Sequence, residues 1–348
     1  MDLKGAFSML ETLKELCALP GVSGREDRVR EYIMKRAEPF ADELRTDAMG
    51  NLLVFRRGSK RPERTLMLAA HMDEVGVIVT DITDKGYLKF DFVGGIDRRV
   101  VIGKRVFIGE NAVPGVLGIK AFHLVEQSEE DKIPKVKEMY IDIGAANREE
   151  AEKLVSIGDV GSFDPSVVEF GDGFIKAKAI DDRIGCAVML ELLEAELPTD
   201  TWFAFTVQEE VGCRGALGAA FALRPQIALI LEGTTAADLP SQQGGAKVCV
   251  AGKGPVIPFM DGGAVYDRRL FERLRALAEE NDIPWQTKTF ISGGTDAQAI
   301  QKSREGVRVA AISAAVRYIH SPSSVGCIRD FENIVRLARV FIENVDAV

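Results

Sequence analysis

Histidine is scarce in this chain, three in 348 residues, and tryptophan is scarcer, at two. Tyrosine adds only five. So few indole and phenol rings leave little surface for stacking on sugars, which argues against a glycosidase. The five cysteines, Cys17, Cys186, Cys213, Cys249 and Cys327, are odd in number and widely spaced. No Cys-x-x-Cys pair exists, so a thiolate zinc knuckle is excluded. They read as reduced structural thiols of a cytoplasmic protein. No apolar run reaches the ~18–20 residues of a membrane helix. Met1-Asp2-Leu3-Lys4-Gly5 places no basic segment before an apolar core, so no secretory signal is expected. Positive charge is not in excess either. The formal net charge is −9, a poor footprint for nucleic acid or an anionic membrane, and neither is expected as a partner.

What is present is a globular composition. Hydrophobic residues at 46% and charged residues at 28% exclude a disordered, collagen-like or coiled-coil chain. A length of 348 residues predicts about two domains. The chain reads as one architecture inside another. Residues 1–71 open with a helical pattern on Leu10, Leu13, Leu16 and Cys17. A Pro20-Gly21 break follows, then a capping box, Ser23-Gly-Arg-Glu26, that predicts a second helix. Leu52–Phe55 and Thr65–Ala70 read as strands. From 72 to 165 short β-type runs punctuated by Gly and Asp predict an inserted small β-barrel. The mixed-charge run Glu129–Lys132 reads as a solvated loop within it.

From 166 to 348 strands and helices alternate, which predicts a largely parallel sheet covered by helices. Expected strands include Phe174–Ala179, Thr201–Val207, Gln226–Leu231, Gln286–Thr289 and Val307–Ile312. Helices are expected over Asp182–Ala195, near Gly215–Leu223, over Asp267–Glu279, from Thr295, and from about Asp330. The pieces 1–71 and 166–348 are expected to form one domain interrupted by the barrel.

Five apolar runs each end in a metal-type ligand. They lead into His71, Asp181-Asp182, Glu209-Glu210, Glu232 and His320. Open α/β sheets form their sites beyond the carboxyl ends of strands. One polar residue after a strand is an ordinary solvated loop. All five being His or carboxylate is not, because two of only three histidines fall here. Nitrogen and carboxylate donors without thiolate suit zinc, cobalt or manganese. Two His and three carboxylates suffice for two metals if one carboxylate bridges. Asp73, two residues from His71, can orient that ring through its second nitrogen. Glu209 and Glu210 reach one site only if the chain turns after them, and Gly212 permits that turn. One could then bind metal while the other stays free as a general base.

Ala70-His71-Met72-Asp73-Glu74-Val75-Gly76, Ala179-Ile180-Asp181-Asp182-Arg183-Ile184-Gly185, Val207-Gln208-Glu209-Glu210-Val211-Gly212 and Tyr318-Ile319-His320-Ser321-Pro322 resemble segments of the di-metal aminopeptidases of clan MH. More narrowly, they resemble the glutamyl/deblocking aminopeptidases that assemble as tetrahedral dodecamers. Met139-Tyr-Ile-Asp-Ile-Gly-Ala145 and Ser292-Gly-Gly-Thr-Asp-Ala297 resemble the same family. The resemblance runs in order from about residue 7 to 345.

It implies a phosphorylase/peptidase-like mixed α/β sheet covered by helices, with the β-barrel at 72–165 as an assembly domain. It implies that His71, Asp181 and Glu232 hold one metal and Asp181, Glu210 and His320 the other. Glu209 would be the general base, Asp73 the orienter of His71, and a cis peptide would follow Asp181. The two divalent ions would be zinc or cobalt. The implied reaction is attack of a metal-bridging water on the N-terminal peptide bond of short peptides. One metal would take the free α-amine.

Many relatives carry Asp where this chain has Glu232. Elsewhere in the clan that choice tracks aminopeptidase against carboxypeptidase or deacylase chemistry, which is the alternative reading on the same scaffold. Three lesser features complete the reading. His123, in the insert, is expected to be structural or at the surface. Thr295 and Asp296 lie where a Gly turn could bring them to substrate. Arg98 and Arg99 read as either an assembly or a substrate-channel feature.

Overall fold

The computed structural model describes residues 8–128 and 131–347. Met1–Gly5 and half of the Glu129–Lys132 run therefore lie outside the described residues. The main sheet has six strands in the order Glu43–Thr46, Leu52–Arg56, Thr201–Thr206, Leu66–His71, Ile227–Thr235, Arg308–Val316. The first two pairings are antiparallel and the remaining three parallel. The sheet is thus mixed, and the parallel part occupies its centre. Leu66–His71 is buried at every position. That is why it reads as a continuous apolar run, as a strand covered on both faces must.

One face packs under the first two helices, Met9–Ala18 and Asp27–Ala37, and under Ile180–Glu194 and Ile328–Glu343. The opposite face holds a smaller core of alanines with Ile230, Tyr266 and Ile300. The insert is a closed antiparallel barrel. Its strands run in the order Gly76–Ile82, Leu88–Val93, Tyr140–Asp142, Val113–Gly118, Arg105–Ile108, Val160–Phe163. It encloses a separate core built on Val77, Leu88, Val106, Ile108 and Ile141. Closure leaves it no free strand edge.

Four expectations need correction. Phe174–Ala177 does not join the main sheet. It pairs with Val168–Phe170 and Ser324–Cys327 in a separate three-stranded antiparallel sheet. Gln286–Thr289 is no strand, because only Gln286 makes an isolated bridge, to Val256. Ser23 does not cap the second helix, which starts at Asp27 without a side-chain cap. The Ser23 hydroxyl instead donates to Asp73 at 2.6 Å, and Glu26 accepts from the backbone of Gly24 and Gln208. A long-range partner outbids the local one. The last strand of the main sheet ends at Val316, so His320 lies four residues beyond it rather than at its end.

Candidate metal centre

Three neighbouring central strands bring these groups to one cleft. His71 ends its strand, and the Glu209-Glu210 pair begins three residues after Thr206. Glu232 lies within Ile227–Thr235, which runs on to Thr235 where the sequence predicted an end at Leu231. Asp181 arrives from the small sheet, at the kinked start of Ile180–Glu194. His320 arrives on the loop after the last main strand. Five non-glycine residues next to these groups, Ala179, Gln208, Cys213, Tyr318 and His320 itself, have left-handed backbones. Each costs on the order of 1–3 kcal/mol, which the surrounding packing must hold in place. The Asp181–Asp182 peptide bond is cis, as the family resemblance implies. Gly233 explains how Asp181 fits. A Cβ there would lie 2.8 Å from Asp181 Oδ1.

Taken around each imidazole, the donor atoms form two triads that share Asp181, while His71 also groups closely with Asp181 and Glu210 and with Asp182 and Glu232. His71 Nε2 lies 3.5 Å from Asp181 Oδ1 and 3.1 Å from Glu232 Oε1. His320 Nε2 lies 3.3 Å from Asp181 Oδ2 and 3.3 Å from Glu210 Oε2. Each Asp181 oxygen thus faces a different imidazole. His71 is 1% exposed and His320 40%, so one triad is deep and the other is at the mouth. Glu209 stands apart, its nearer oxygen 3.9 Å from His71 Nε2.

Asp73 is placed differently from a simple carboxylate orienter. His71 Nδ1 lies 3.1 Å from the backbone carbonyl of Asp73 and 3.4 Å from its carboxylate. The Asp73 carboxylate accepts the backbone N–H of Glu209 at 2.9 Å and of Glu210 at 3.1 Å. It therefore ties the turn carrying both glutamates to the His71 segment. The turn is closed by Gly212 and Cys213 N–H donating to the Glu209 carbonyl, with Gly212 at φ +117.

Three contributors were not singled out from the sequence. Asp182 is fully buried and accepts the backbone N–H of His71 at 3.1 Å and of Gly185 at 2.9 Å. Cys213 donates its S–H to Glu209 Oε1 at 3.2 Å and accepts from Gln298 Nε2 at 3.0 Å. Asn51 binds the backbone at Val207 and Gly215, fixing the strand end before the Glu209 turn. Of these, Asp182 carried a sequence signal, as the second member of the Asp181-Asp182 pair that ends an apolar run, and Cys213 and Asn51 carried none. Thr295 and Asp296 are both buried. Thr295 contacts Tyr266 and Ala297, and Asp296 accepts from Thr206 at 2.5 Å. Asp296 thus sits behind Glu209 and Cys213. His123 is exposed on the barrel.

The electrostatics show a surplus of carboxylate. Burial and neighbouring acids push Glu210 up to about 8 and Glu232 well above the usual range. Burial likewise raises Glu209. Asp181 is held well below its ordinary value despite burial, by the two imidazoles beside it, His320 and His71. Burial opposes charge on His320, but Asp181 and Glu210 raise it to about 9. His71 Nε2, Asp181 Oδ1 and Glu232 Oε2 make no hydrogen bond among the described residues. Buried polar atoms without partners, aimed at one point with imidazole and carboxylate chemistry, fit divalent cations.

The family follows from comparison with known proteins. The M42 glutamyl aminopeptidase profile matches residues 50–337. The chain belongs to that family. It is therefore a metallo-aminopeptidase, and the family implies divalent metal ions. The lysyl aminopeptidase of Pyrococcus furiosus is 33% identical over 342 residues, 96% of either chain. The TET aminopeptidase of a marine-sediment thaumarchaeon superposes with a TM-score of 0.93 at 34% identity, over 97% of this chain and 96% of that one. The TET1 peptidase of Pyrococcus horikoshii gives 0.84 at 34%, over 96% and 99%. That relative is described as assembling into a tetrahedron or a large octahedral shell.

Proposed function

We propose that this metallo-aminopeptidase removes N-terminal residues from short peptides, with His71, Asp181 and Glu232 holding one divalent cation and Asp181, Glu210 and His320 the other. The observation that carries the reading is the shared Asp181, one oxygen toward each imidazole. Zinc or cobalt suits these donors. When bound, the two cations supply Lewis acidity at the scissile carbonyl and acidify water. Glu209 belongs to neither triad and acts as general base. It accepts the proton of the attacking water and passes it to the leaving amine. Burial favours that role, because it raises the affinity of the carboxylate for a proton. Asp73 and Cys213 hold Glu209 in position, Asp73 through the backbone and Cys213 through the side chain.

The barrel at 72–165 serves assembly, and the chain forms a tetrahedral dodecamer. The tetrahedron that the Pyrococcus horikoshii relative can form supports this. The five cysteines are free thiols, which suits a reducing cytoplasm.

The test is a panel of aminoacyl-p-nitroanilides with their N-acetylated counterparts, assayed after chelation and after adding back zinc or cobalt. Metal-dependent release from free-amine substrates alone is the expected result. Release from the acetylated forms would transfer the assignment to a deacylase and make Glu232 the residue to examine.

A further inference from the structure

A second cavity opens beside the metal centre. It has a volume of about 720 Å³ and lies between the barrel segment 99–104 and the small three-stranded sheet. Ser321 lines both this cavity and the cleft that contains Asp181, Glu210 and His320. The barrel overhangs the centre just before this segment. An added Cβ on Gly94 would lie 3.3 Å from Glu210, and one on Gly95 3.7 Å from His320. The cavity therefore adjoins the site at Ser321, with the insert forming one of its walls.

Its lining is unlike the rest of the molecule. The protein carries a net charge of −9, yet three cationic residues, Arg99, Lys104 and Lys176, line this cavity and no carboxylate does. Arg99 is paired with Asp97. Lys104 has no ion pair or side-chain hydrogen bond among the described residues. Lys176 is partly buried, and among the described residues its ammonium binds only the neutral oxygens of Ser166, at 2.9 and 3.0 Å. Burial lowers the Lys176 affinity for its proton. Asp164 opposes this, while Lys104 and Arg105 add to it. Asp164 itself is paired with Arg105. Lys104 and Lys176 thus form an uncompensated positive pair facing an apolar wall that includes Phe170 and Val325.

We propose that this cavity is an anion subsite that takes a carboxylate borne on the leaving side of the peptide, either its free C-terminus or an acidic side chain. The proposal rests on the aminopeptidase reading. In such an enzyme one residue lies on the amine side of the cut bond and the whole remainder lies on the other. A volume of about 720 Å³ is in the range of a ligand of several residues and exceeds one side chain. The apolar wall and Tyr318, which is 53% exposed, give the intervening residues a surface to cover. A short peptide brings its terminal carboxylate within reach of the ammonium pair, and a long chain does not. The subsite therefore selects for short peptides through charge.

The experiment uses metal-loaded enzyme and di-, tri- and tetrapeptides sharing the best N-terminal residue from the p-nitroanilide panel. Each is assayed as free acid and as C-terminal amide, with a further amide carrying Asp at its last position. The readout is the acid-to-amide ratio of kcat/KM within each enzyme. At the length that spans the cavity the ratio is about five-fold at low salt and shrinks toward one as salt screens it. Lys104→Ala and Lys176→Met each reduce it, Lys104→Glu inverts it, and Lys104→Arg restores it. An advantage for the Asp-containing amide assigns the subsite to any leaving-side carboxylate. Its absence, with the free acid still favoured, assigns it to the C-terminus.

A ratio near one at every length overturns the proposal. So does a ratio unchanged by Lys104→Glu, or a Lys104-dependent preference for an acidic N-terminal residue instead. Failure to cleave any free-amine p-nitroanilide would overturn the aminopeptidase reading itself, so the two failures are distinct.

Discussion

Two clusters of buried charge grow from the same two stretches of sequence, and they differ in the sign of their surplus. His71 and Asp73 face one way from their segment, and Glu74 faces the other. Asp181 and Asp182 face the metal centre, while Lys178 and Arg183 turn toward Glu74. In the second cluster the Glu74 carboxylate is saturated. It accepts from Lys178 Nζ at 2.8 Å through both oxygens, from Gly21 N–H at 2.9 Å and from Ser162 at 3.0 Å. Arg183 stands 3.7 Å away and donates to the Leu16 carbonyl. The first cluster gathers Asp181, Asp182, Glu209, Glu210 and Glu232 about two imidazoles and leaves donor atoms unpartnered. A buried carboxylate whose oxygens are met by donors of the chain needs nothing further, and the spare charge in that cluster is positive, with Arg183 Nε and Nη2 making no hydrogen bond among the described residues. A cluster with surplus carboxylate calls for cations from outside. The pair of clusters separates the residues that join the barrel to the sheet from those that do chemistry.

The largest test of that distinction is Asp181→Asn. It removes charge from the residue common to both triads, so bound metal, measured by elemental analysis, is expected to fall below two ions per chain. Turnover is expected to fall by about a thousand-fold or more, since two-metal chemistry needs both positions. Far-UV circular dichroism should be unchanged. Next comes Glu209→Gln, which keeps shape and hydrogen bonding but removes the base. kcat is expected to drop about 10²–10⁴-fold with metal content intact. A loss of metal instead would make Glu209 a ligand and break the assignment of roles.

The Glu74 cluster should respond in stability and not in metal. Lys178→Met leaves the Glu74 carboxylate buried beside Arg183 alone. Removing one partner of a buried pair costs about 3–5 kcal/mol, and the remaining Arg183 favours the lower end. Urea unfolding would read this as a lowered midpoint. Adding Glu74→Leu should not recover the loss, because it leaves Arg183 buried without the carboxylate 3.7 Å away. Metal stoichiometry should stay constant in both variants. Stripping of metal by Lys178→Met would show that the two clusters are one unit.

The sequence made the ligand types legible because strand ends concentrate chemistry, and His and carboxylate are conspicuous after apolar runs. The barrel was legible from its short runs and turn residues. The contributions of tertiary context were not. Asp181 follows an apolar run like the others, yet that run belongs to a different, antiparallel sheet, since periodicity does not reveal a strand's partner. His320 sits past its strand because Tyr318 and His320 adopt left-handed backbones that no local preference favours. Ser23 and Glu26 have the spacing of a capping box, but Asp73 and Gln208 compete for them from about fifty and 182 residues away and win. Local rules failed where the site imposes its own geometry.

The smallest effect is the sharpest probe of the boundary between the clusters. Cys213 lies on the far side of Glu209 from the metal triads and reads from sequence as an inert buried thiol. Its S–H is a weak donor, yet it is the side-chain hydrogen bond Glu209 makes, at 3.2 Å. Cys213→Ala should lower kcat/KM only a few-fold, as loss of one ordinary hydrogen bond costs about 0.5–1.5 kcal/mol.

The direction of its pH effect is more telling. Burial already raises the proton affinity of Glu209, and the Cys213 S–H lowers it. Removing that donor raises it further. A general base works only when ionised, so the acidic limb of the kcat/KM profile should move to higher pH, with activity lost first at low pH. Cys213→Ser keeps a donor and should hold the limb near its original position. Equal losses at all pH values in both variants would mean that Cys213 only fills space.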